Sequence, residues 1–394
     1  MLPPYFQFHA PVKILSGRHA LDNIPHELSM FEASRPLIIT DKVVNEAGLL
    51  KPLSRAMAES AIPAAAVFDD VPPDSSSRTV NDCARTYTAQ GCDCIIAVGG
   101  GSVIDTAKGT NIVVSEGAED LLQFSGADRL TRPLRPLVVV PTTAGTGSEV
   151  TCVAMISNEE TQTKMAFTSP HLLPDLAVLD PRMTQSMPPK ISAATGMDAL
   201  SHAMEACTCL QCNPLSTAFG HSAIRLISEH LVQAVSSGRS REHRLGMANG
   251  ALLAGIAFSN SMVGMVHSLG HAAGGVCHLP HGVAMGIFLP FGLEYNLDAR
   301  RDAIADLLLP LGGAELFAAI PRQEQAEKTI AMVRRLQQEL HSLCGLPRTL
   351  SEAGIARDKL GHIARTAIDD PSLIFNPEDM DYDDALAILK RAYA

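Results

Sequence analysis

No cluster of lysine or arginine occurs anywhere in this chain, and its net charge is −11, from 42 acidic against 31 basic residues. A surface of that sign without a basic stripe excludes nucleic acid and anionic membrane as partners, because both are held by clustered cations. A disulfide framework is also missing. The nine cysteines are an odd number without staple-like spacing. The start of the chain, MLPPYFQFHAPVK, lacks the blocks of a secretory leader. Both features point to a reducing, cytoplasmic setting. Cys209 and Cys212 have CxxC spacing, with Cys207 just before them, but no second pair stands nearby to complete a four-thiolate zinc site. These three read as buried free thiols. No internal repeat or low-complexity segment is present.

A further absence concerns charge itself. From Leu245 to Leu293 there is no Asp, Glu, Lys or Arg. The run is long enough to cross a bilayer, yet it carries Asn249, Asn260, four histidines, several serines and many glycines, with no flanking belt of aromatic and basic residues. Those features exclude a membrane span. What the run does hold is His267, His271, His278 and His281, four of the chain's 14 histidines. Neutral imidazole is the commonest nitrogen ligand for a divalent metal, and histidines crowded together without a cation repel once protonated.

A cation also needs negative charge, which must come from elsewhere in the chain. In PKISAATGMDALSHAMEA, Pro189 to Ala206, Asp198 and His202 are four apart, so on a helix they share a face. Taken alone, such a pair is more often a surface ion pair. Joined to two of the later histidines it gives one carboxylate and three imidazoles, a set suited to Fe(II), Zn(II) or Mn(II), and the lack of thiolate argues against a closed structural zinc. Spacing leaves open which histidines bind. His267 and His271 share a helix face, whereas Gly274, Gly275 and Pro280 place His281 beyond a break.

At 394 residues the chain is long enough for two domains. Val12 to Leu15 reads as a short strand, and Arg35 to Thr40 as a buried strand ending at Asp41. An acidic residue past a parallel strand accepts bonds from a ribose hydroxyl and repels a 2′-phosphate, so Asp41 favours NAD over NADP; it is equally suited to capping the next helix. A helical stretch from Leu49 to Ser60, a strand from Ala64 to Asp70 and the loop VPPDSSS follow.

The buried strand Cys94 to Val98 then runs straight into Gly99, Gly100, Gly101 and Ser102 and a helix beginning SVIDTAKG. Strand, glycines and helix N-terminus form the arrangement by which backbone amides hold a phosphate, with no Cβ in the way. The triplet fits neither GxGxxG nor a P-loop. Ser102 and Asp105 are expected to form a capping box there. Leu137 to Val140 is a further strand, leading into PTTAGTGSEVT, Pro141 to Thr151, off the same sheet edge, so two small-residue loops converge where open parallel sheets bind ligands. Residues 152 to 170 read as a hairpin with Lys164 on its return strand, and Asp175 to Asp180 closes the sheet. From Pro188 onward long apolar helices dominate. The expected division is an α/β dinucleotide domain, 1–187, and a helical metal-binding and substrate domain, 188–394.

Four stretches together, GGGSVIDTAK, PTTAGTGSEVT, GMDALSHAMEA and HSLGHAAGG with HLPHG, resemble the iron-containing, or group III, alcohol dehydrogenase family, over essentially the whole chain. The resemblance implies a Rossmann-like parallel-sheet domain followed by a helical domain, as in dehydroquinate synthase, with a metal in the cleft between them. It implies Asp198, His202, His267 and His281 as ligands of Fe(2+), or of Zn(2+), and His271 beside the substrate. For NAD it implies pyrophosphate on Gly99, Gly100, Gly101 and Ser102, with Asp105 at the same helix start, contacts from Thr142, Thr143 and Ser148, ribose recognition at Asp41 and a cofactor contact from Lys164. A homodimer or larger homo-oligomer is the family expectation. Where the family shows a PNPT-like loop this chain has Pro73, Asp74, Ser75 and Ser76, which adds negative charge and loosens the segment.

The chemistry so implied is reversible hydride transfer between a short-chain or primary alcohol, or a diol, and NAD. The charge-free wall favours small neutral alcohols and aldehydes, since a carboxylate or phosphate substrate would want Arg or Lys. A dehydroquinate-synthase-like lyase shares fold, NAD and metal but should show basic residues for its acidic substrate. A metal hydrolase leaves the glycine loops without a purpose.

Overall fold

The computed structural model describes residues 3–60, 62–161 and 163–394. By internal packing the chain divides into two compact units, Ala10–Ser186 and Met187–Ala394, the latter joined by Met1–His9.

The unit Ala10–Ser186 is built on six strands in the order β1-β9-β6-β4-β2-β3. These are β1 (Lys13–Ser16), β2 (Pro36–Ile39), β3 (Ala66–Phe68), β4 (Cys94–Gly99), β6 (Leu137–Pro141) and β9 (Leu176–Leu179). Every pairing among them is parallel. Parallel neighbours need long crossovers, which lay helices over both faces and make the central strands apolar throughout. Alternation along the strands sorts the side chains. Ile38, Ile96, Val98, Val138 and Val140 enter one core, and Leu37, Ile39, Ile95, Ala97 and Val139 the other. The expected parallel-sheet domain is thus observed. One detail differs: β9 does not form the edge, because β1 pairs outside it, Lys13 beside Leu176.

Strand order fixes where a ligand can sit. From β2 the chain moves outward to β3, and from β4 it moves the opposite way to β6. The carboxyl ends of β2 and β4 therefore flank the point where the winding reverses, which is the crevice that open α/β sheets use for ligands. A smaller sheet sits in the same unit: β7 (Val153–Asn158) pairs antiparallel with β8 (Thr163–Thr168), and β5 (Gly126–Ala127) pairs with β8. This is the expected hairpin, with Lys164 on its return strand and Gln162 outside the described residues.

The second unit is helical. Its centre is formed by α3 (Pro189–Thr208), α4 (Pro214–Ser237), α5 (Arg241–Ser259), α6 (Met265–Cys277) and α7 (His281–Tyr295); α1 (Lys42–Glu46) and α2 (Gly101–Glu116) belong to the sheet unit. From Gly196 to Thr208 every residue of α3 is buried, so no polar face is left to it. The charge-free run is α5 from Leu245 onward together with α6 and most of α7, and Val283 to Leu293 is buried without interruption. The expected break before His281 is present, but α6 passes straight through Gly274 and Gly275. It ends only where His278 adopts φ 55° and Pro280 follows. Gly282 then lies so near α3 that a Cβ would stand 2.4 Å from the Ala194 carbonyl oxygen, which draws the start of α7 onto α3.

Candidate metal centre and cofactor loops

Three helices of the second unit converge on one point. Asp198 and His202 stand one turn apart on α3, His267 lies in the first turn of α6, and His281 is the first residue of α7. One ligand-type atom from each of these four residues lies within 4.8 Å of every other. The Asp198 Oδ1 atom is 3.9 Å from His202 Nδ1 and 3.3 Å from His281 Nε2. The rings of His202 and His267 stack with centroids 4.5 Å apart, and Phe258 covers the far face of His202 at 4.2 Å. Asp198, His202 and His267 are buried, while the His281 side chain is 39 % exposed, so the cluster opens on one side.

Three polar atoms here have no hydrogen-bond partner among the described residues: Asp198 Oδ1, His202 Nδ1 and His267 Nε2. Each such buried atom costs on the order of 1–3 kcal/mol if nothing meets it. Burial pushes His202 down to about 3, and its neighbours His267 and His281 add to that; burial also drives His267 well below the ordinary range. For Asp198 burial acts upward, but the His202 and His281 imidazoles outweigh it and hold the carboxyl far below its usual value. The inner surface therefore presents one carboxylate oxygen and one ring nitrogen from each of three imidazoles. Those donors fit a divalent cation such as Fe(II) or Zn(II).

Two carboxylates that the sequence reading passed over support this cluster. Glu205, also on α3 and buried, contacts His267 Nδ1 through Oε2, while its Oε1 accepts from the backbone N–H of Gly264 at 3.0 Å and of Val266 at 2.9 Å. The intervening N–H, of Met265, donates to Asn376 Oδ1 at 3.1 Å. Asp370, far along the chain, lies 2.9 Å from His271 Nδ1 through Oδ2. The ring of His271 is 5.8 Å from that of His267 and 5.4 Å from that of His281, and its side chain is 41 % exposed. His278 takes no part; it is spent on ending α6.

In the sheet unit, β4 leads into α2, whose N-cap is Gly100. None of Gly99, Gly100 and Gly101 takes a positive φ, so glycine serves close approach and not a left-handed turn. A Cβ on Gly99 would meet the Val103 side chain at 2.5 Å, and one on Gly101 would stand 3.0 Å from Thr146 Cγ2. The loop after β6 lies against the first, with the Thr142 N–H donating to the Gly99 carbonyl at 3.0 Å and Thr143 3.4 Å from the Cβ position of Gly100.

The expected capping box at this helix is not formed. Ser102 Oγ donates to the Pro73 carbonyl, and Asp105 turns inward to accept from Ser148 Oγ at 2.8 Å and Met155 N–H at 3.1 Å. Asp105 is drawn there by Lys108, a fully buried ammonium that donates to the Thr151 and Val153 carbonyls at 2.7 and 2.9 Å. Asp41 caps α1, its Oδ1 accepting from Val44 N–H at 2.8 Å. Lys164 is exposed, 3.8 Å from Asp74, the residue that departs from the family's loop.

Of the residues passed over, Glu205 had a signal. It falls three after His202 and seven after Asp198, on the same helical face, and a carboxylate there continues the stripe of metal-type side chains. Asp370 and Asn376 had none, because the contacts that place them span about a hundred residues of chain.

The chain matches the family model described as iron-containing alcohol dehydrogenase over residues 11–181, and that of the family's C-terminal part over residues 192–393. It is 35% identical over 390 residues to a 1,3-propanediol dehydrogenase of Klebsiella pneumoniae, covering 98% of this chain and 99% of that one. To the NAD-dependent methanol dehydrogenase of Bacillus methanolicus it is 31% identical, with 98% and 99% covered. Among solved structures, a 1,3-propanediol oxidoreductase superposes with a TM-score of 0.94 at 34% identity, covering 99% of this chain and all of that one.

Proposed function

The chain belongs to the iron-containing alcohol dehydrogenase family, and from that premise we propose how its own residues carry out NAD-dependent oxidation of a small neutral alcohol or diol and the reverse reduction. The observation that carries the reading is the group of four ligand atoms within 4.8 Å of one another, three of them buried and unpartnered.

Asp198, His202, His267 and His281 hold the ion, Fe(II) or Zn(II). When bound, it supplies a Lewis acid that favours the deprotonated form of an alcohol. The open side beside His281 admits substrate. His271 reaches from the cluster to water and takes the alcohol's proton outward, with Asp370 accepting its Nδ1–H and fixing the ring. In the sheet unit, Gly99, Gly100, Gly101 and Ser102 offer backbone amides to the pyrophosphate, and Thr142 and Thr143 flank it. Asp105 and Ser148 brace that turn from inside. Asp41 keeps acceptor capacity for a ribose hydroxyl beyond the bond to Val44, and Lys164 contributes a cation to the cofactor.

A neutral substrate is supported by the charge-free run and by relatives named for 1,3-propanediol and methanol. A homodimer or larger homo-oligomer in the cytoplasm belongs to the same proposal. The nine cysteines are all free thiols, as a reducing compartment keeps them. No helix among the described residues is long and apolar enough to cross a membrane. Light scattering reads the assembly directly.

The experiment is NADH formation by metal-stripped protein with a panel of short alcohols and diols, before and after anaerobic addition of Fe(II) or Zn(II). Activity restored by one ion and absent in His267→Ala is the expected result. No NADH with any alcohol under either ion overturns the reading.

A further inference from the structure

We infer that Glu205 is a positioning residue for the metal centre: it fixes the tautomer and ring direction of His267 and ties both to the start of helix α6, so that the nitrogen offered to the ion is Nε2. This rests on the proposed ligand set and goes beyond it, since Glu205 touches no ion itself.

The argument begins with hydrogen-bond inventory. A neutral imidazole has one N–H and one lone pair, and whichever nitrogen holds the proton cannot bind a cation. His267 Nδ1 faces Glu205 Oε2, and Nε2 faces the cluster with no partner. With Oε1 already accepting two backbone N–H groups, the ionised Glu205 has Oε2 left to accept Nδ1–H, which frees the Nε2 lone pair.

Glu205 is itself held in one orientation. Its other oxygen accepts from the Gly264 and Val266 N–H groups, two of the unsatisfied donors at the first turn of α6, while Asn376 accepts from Met265 between them. Asn376 is locked in turn by a reciprocal amide pair with Asn296, 2.9 and 3.0 Å, and by donation to the Glu378 carbonyl at 2.7 Å. There is no room to loosen this clamp, because a Cβ on Gly264 would meet Asn376 Oδ1 at 2.7 Å and Glu205 Oε1 at 3.3 Å. One side chain of α3 therefore sets the start of α6 and the ring that projects from it, while Asp198 and His202 project from the same helix.

Glu205→Gln tests this with almost no change of shape. The two backbone N–H groups demand an oxygen, so the amide oxygen stays on them and the NH2 group turns toward His267 Nδ1. The ring must then accept at Nδ1 and carry its proton on Nε2, facing the ion. The expected result is a metal-free variant whose circular dichroism and melting temperature match the parent, with Zn(II) affinity, measured by competition with a chromophoric chelator, reduced about 10- to 100-fold. Affinity within about twofold of the parent overturns the inference.

Should the variant fail to fold, the unaltered protein decides. With Zn(II) and 15N-labelled histidine, the nitrogen spectrum should show His267 protonated at Nδ1 and metal-bound at Nε2, and the opposite assignment overturns the inference. A parent protein that binds no Zn(II) or Fe(II) at all overturns the ligand set and this inference together, whereas failure of Glu205→Gln alone leaves the ligand set standing.

Discussion

His281 Nε2 lies 3.3 Å from Asp198 Oδ1, and the same oxygen has His202 Nδ1 at 3.9 Å. One carboxylate oxygen thus gathers two imidazoles from different helices without hydrogen-bonding either by its geometry, the arrangement that the proposed metal ligation calls for. Asp198→Asn keeps the shape and removes the only negative charge among the four ligand residues. Metal content after dialysis should fall to trace, with affinity lower by more than about 100-fold, since even outer partners of metal ligands are worth 10- to 100-fold. A variant that retains stoichiometric iron or zinc contradicts the ligand assignment.

His271 and Asp370 give a separate prediction. Burial works to raise the Asp370 carboxyl, but the bond from His271 and those at Ser372 prevail and bring it to about 2. It is therefore an ionised acceptor at every pH where the enzyme is assayed. His271→Asn should lower kcat by about 100-fold or more, the range for a positioned proton-transfer group. It should also remove an ionisation from the pH profile of kcat. Asp370→Asn should lower kcat less and leave KM for NAD unchanged. Superimposable profiles for His271→Asn and the parent would remove His271 from the proton path.

The fold and the ligands were legible for different reasons. Continuous apolar strands ending in Gly99 or Pro141 announce a parallel sheet, because only strands covered on both faces dispense with polar alternation. The histidine cluster was legible because imidazoles gather where charge is otherwise excluded, but which of them stand together with Asp198 and His202 was implied only by the family resemblance. Sequence could not choose between the two candidate ends of α6, since Gly274 and Gly275 read as breakers yet stay helical in its less buried last turns, and the helix stops at His278, just before Pro280. Nor could it show that Asp105 faces inward, because the buried ammonium of Lys108, three residues on, becomes visible only with Thr151 and Val153 around it. Asp370 depends on chain closure across the whole helical unit.

Asp41 both caps α1 and, in the proposed reading, selects the cofactor. Asp41→Ser separates the two, because serine keeps an N-cap oxygen while removing the charge that repels a 2′-phosphate. Stability should change by less than about 1 kcal/mol. The ratio of kcat/KM for NAD to that for NADP should fall at least about tenfold, which corresponds to about 1.4 kcal/mol of discrimination. An unchanged ratio would leave Asp41 as a cap only.

Glu149 provides a test in the pH dependence of stability. It sits buried in the loop after β6, and burial pushes its carboxyl up to about 7, with its own backbone N–H and Lys108 only partly opposing. The unfolded chain has an ordinary glutamate near 4.5. Between those values the folded state binds more protons than the unfolded one, so stability is full below about pH 4.5 and declines as pH rises through 7. The loss amounts to at most about 3 kcal/mol, from the difference between the two values. Glu149→Gln keeps the shape and cannot ionise, so at pH 8 the variant should melt above the parent, and at pH 4.5 the two should coincide or the variant should melt lower. Calorimetry on protein free of metal and NAD at the two pH values checks this. A difference of the same size and sign at both would show that Glu149 is not the titrating group.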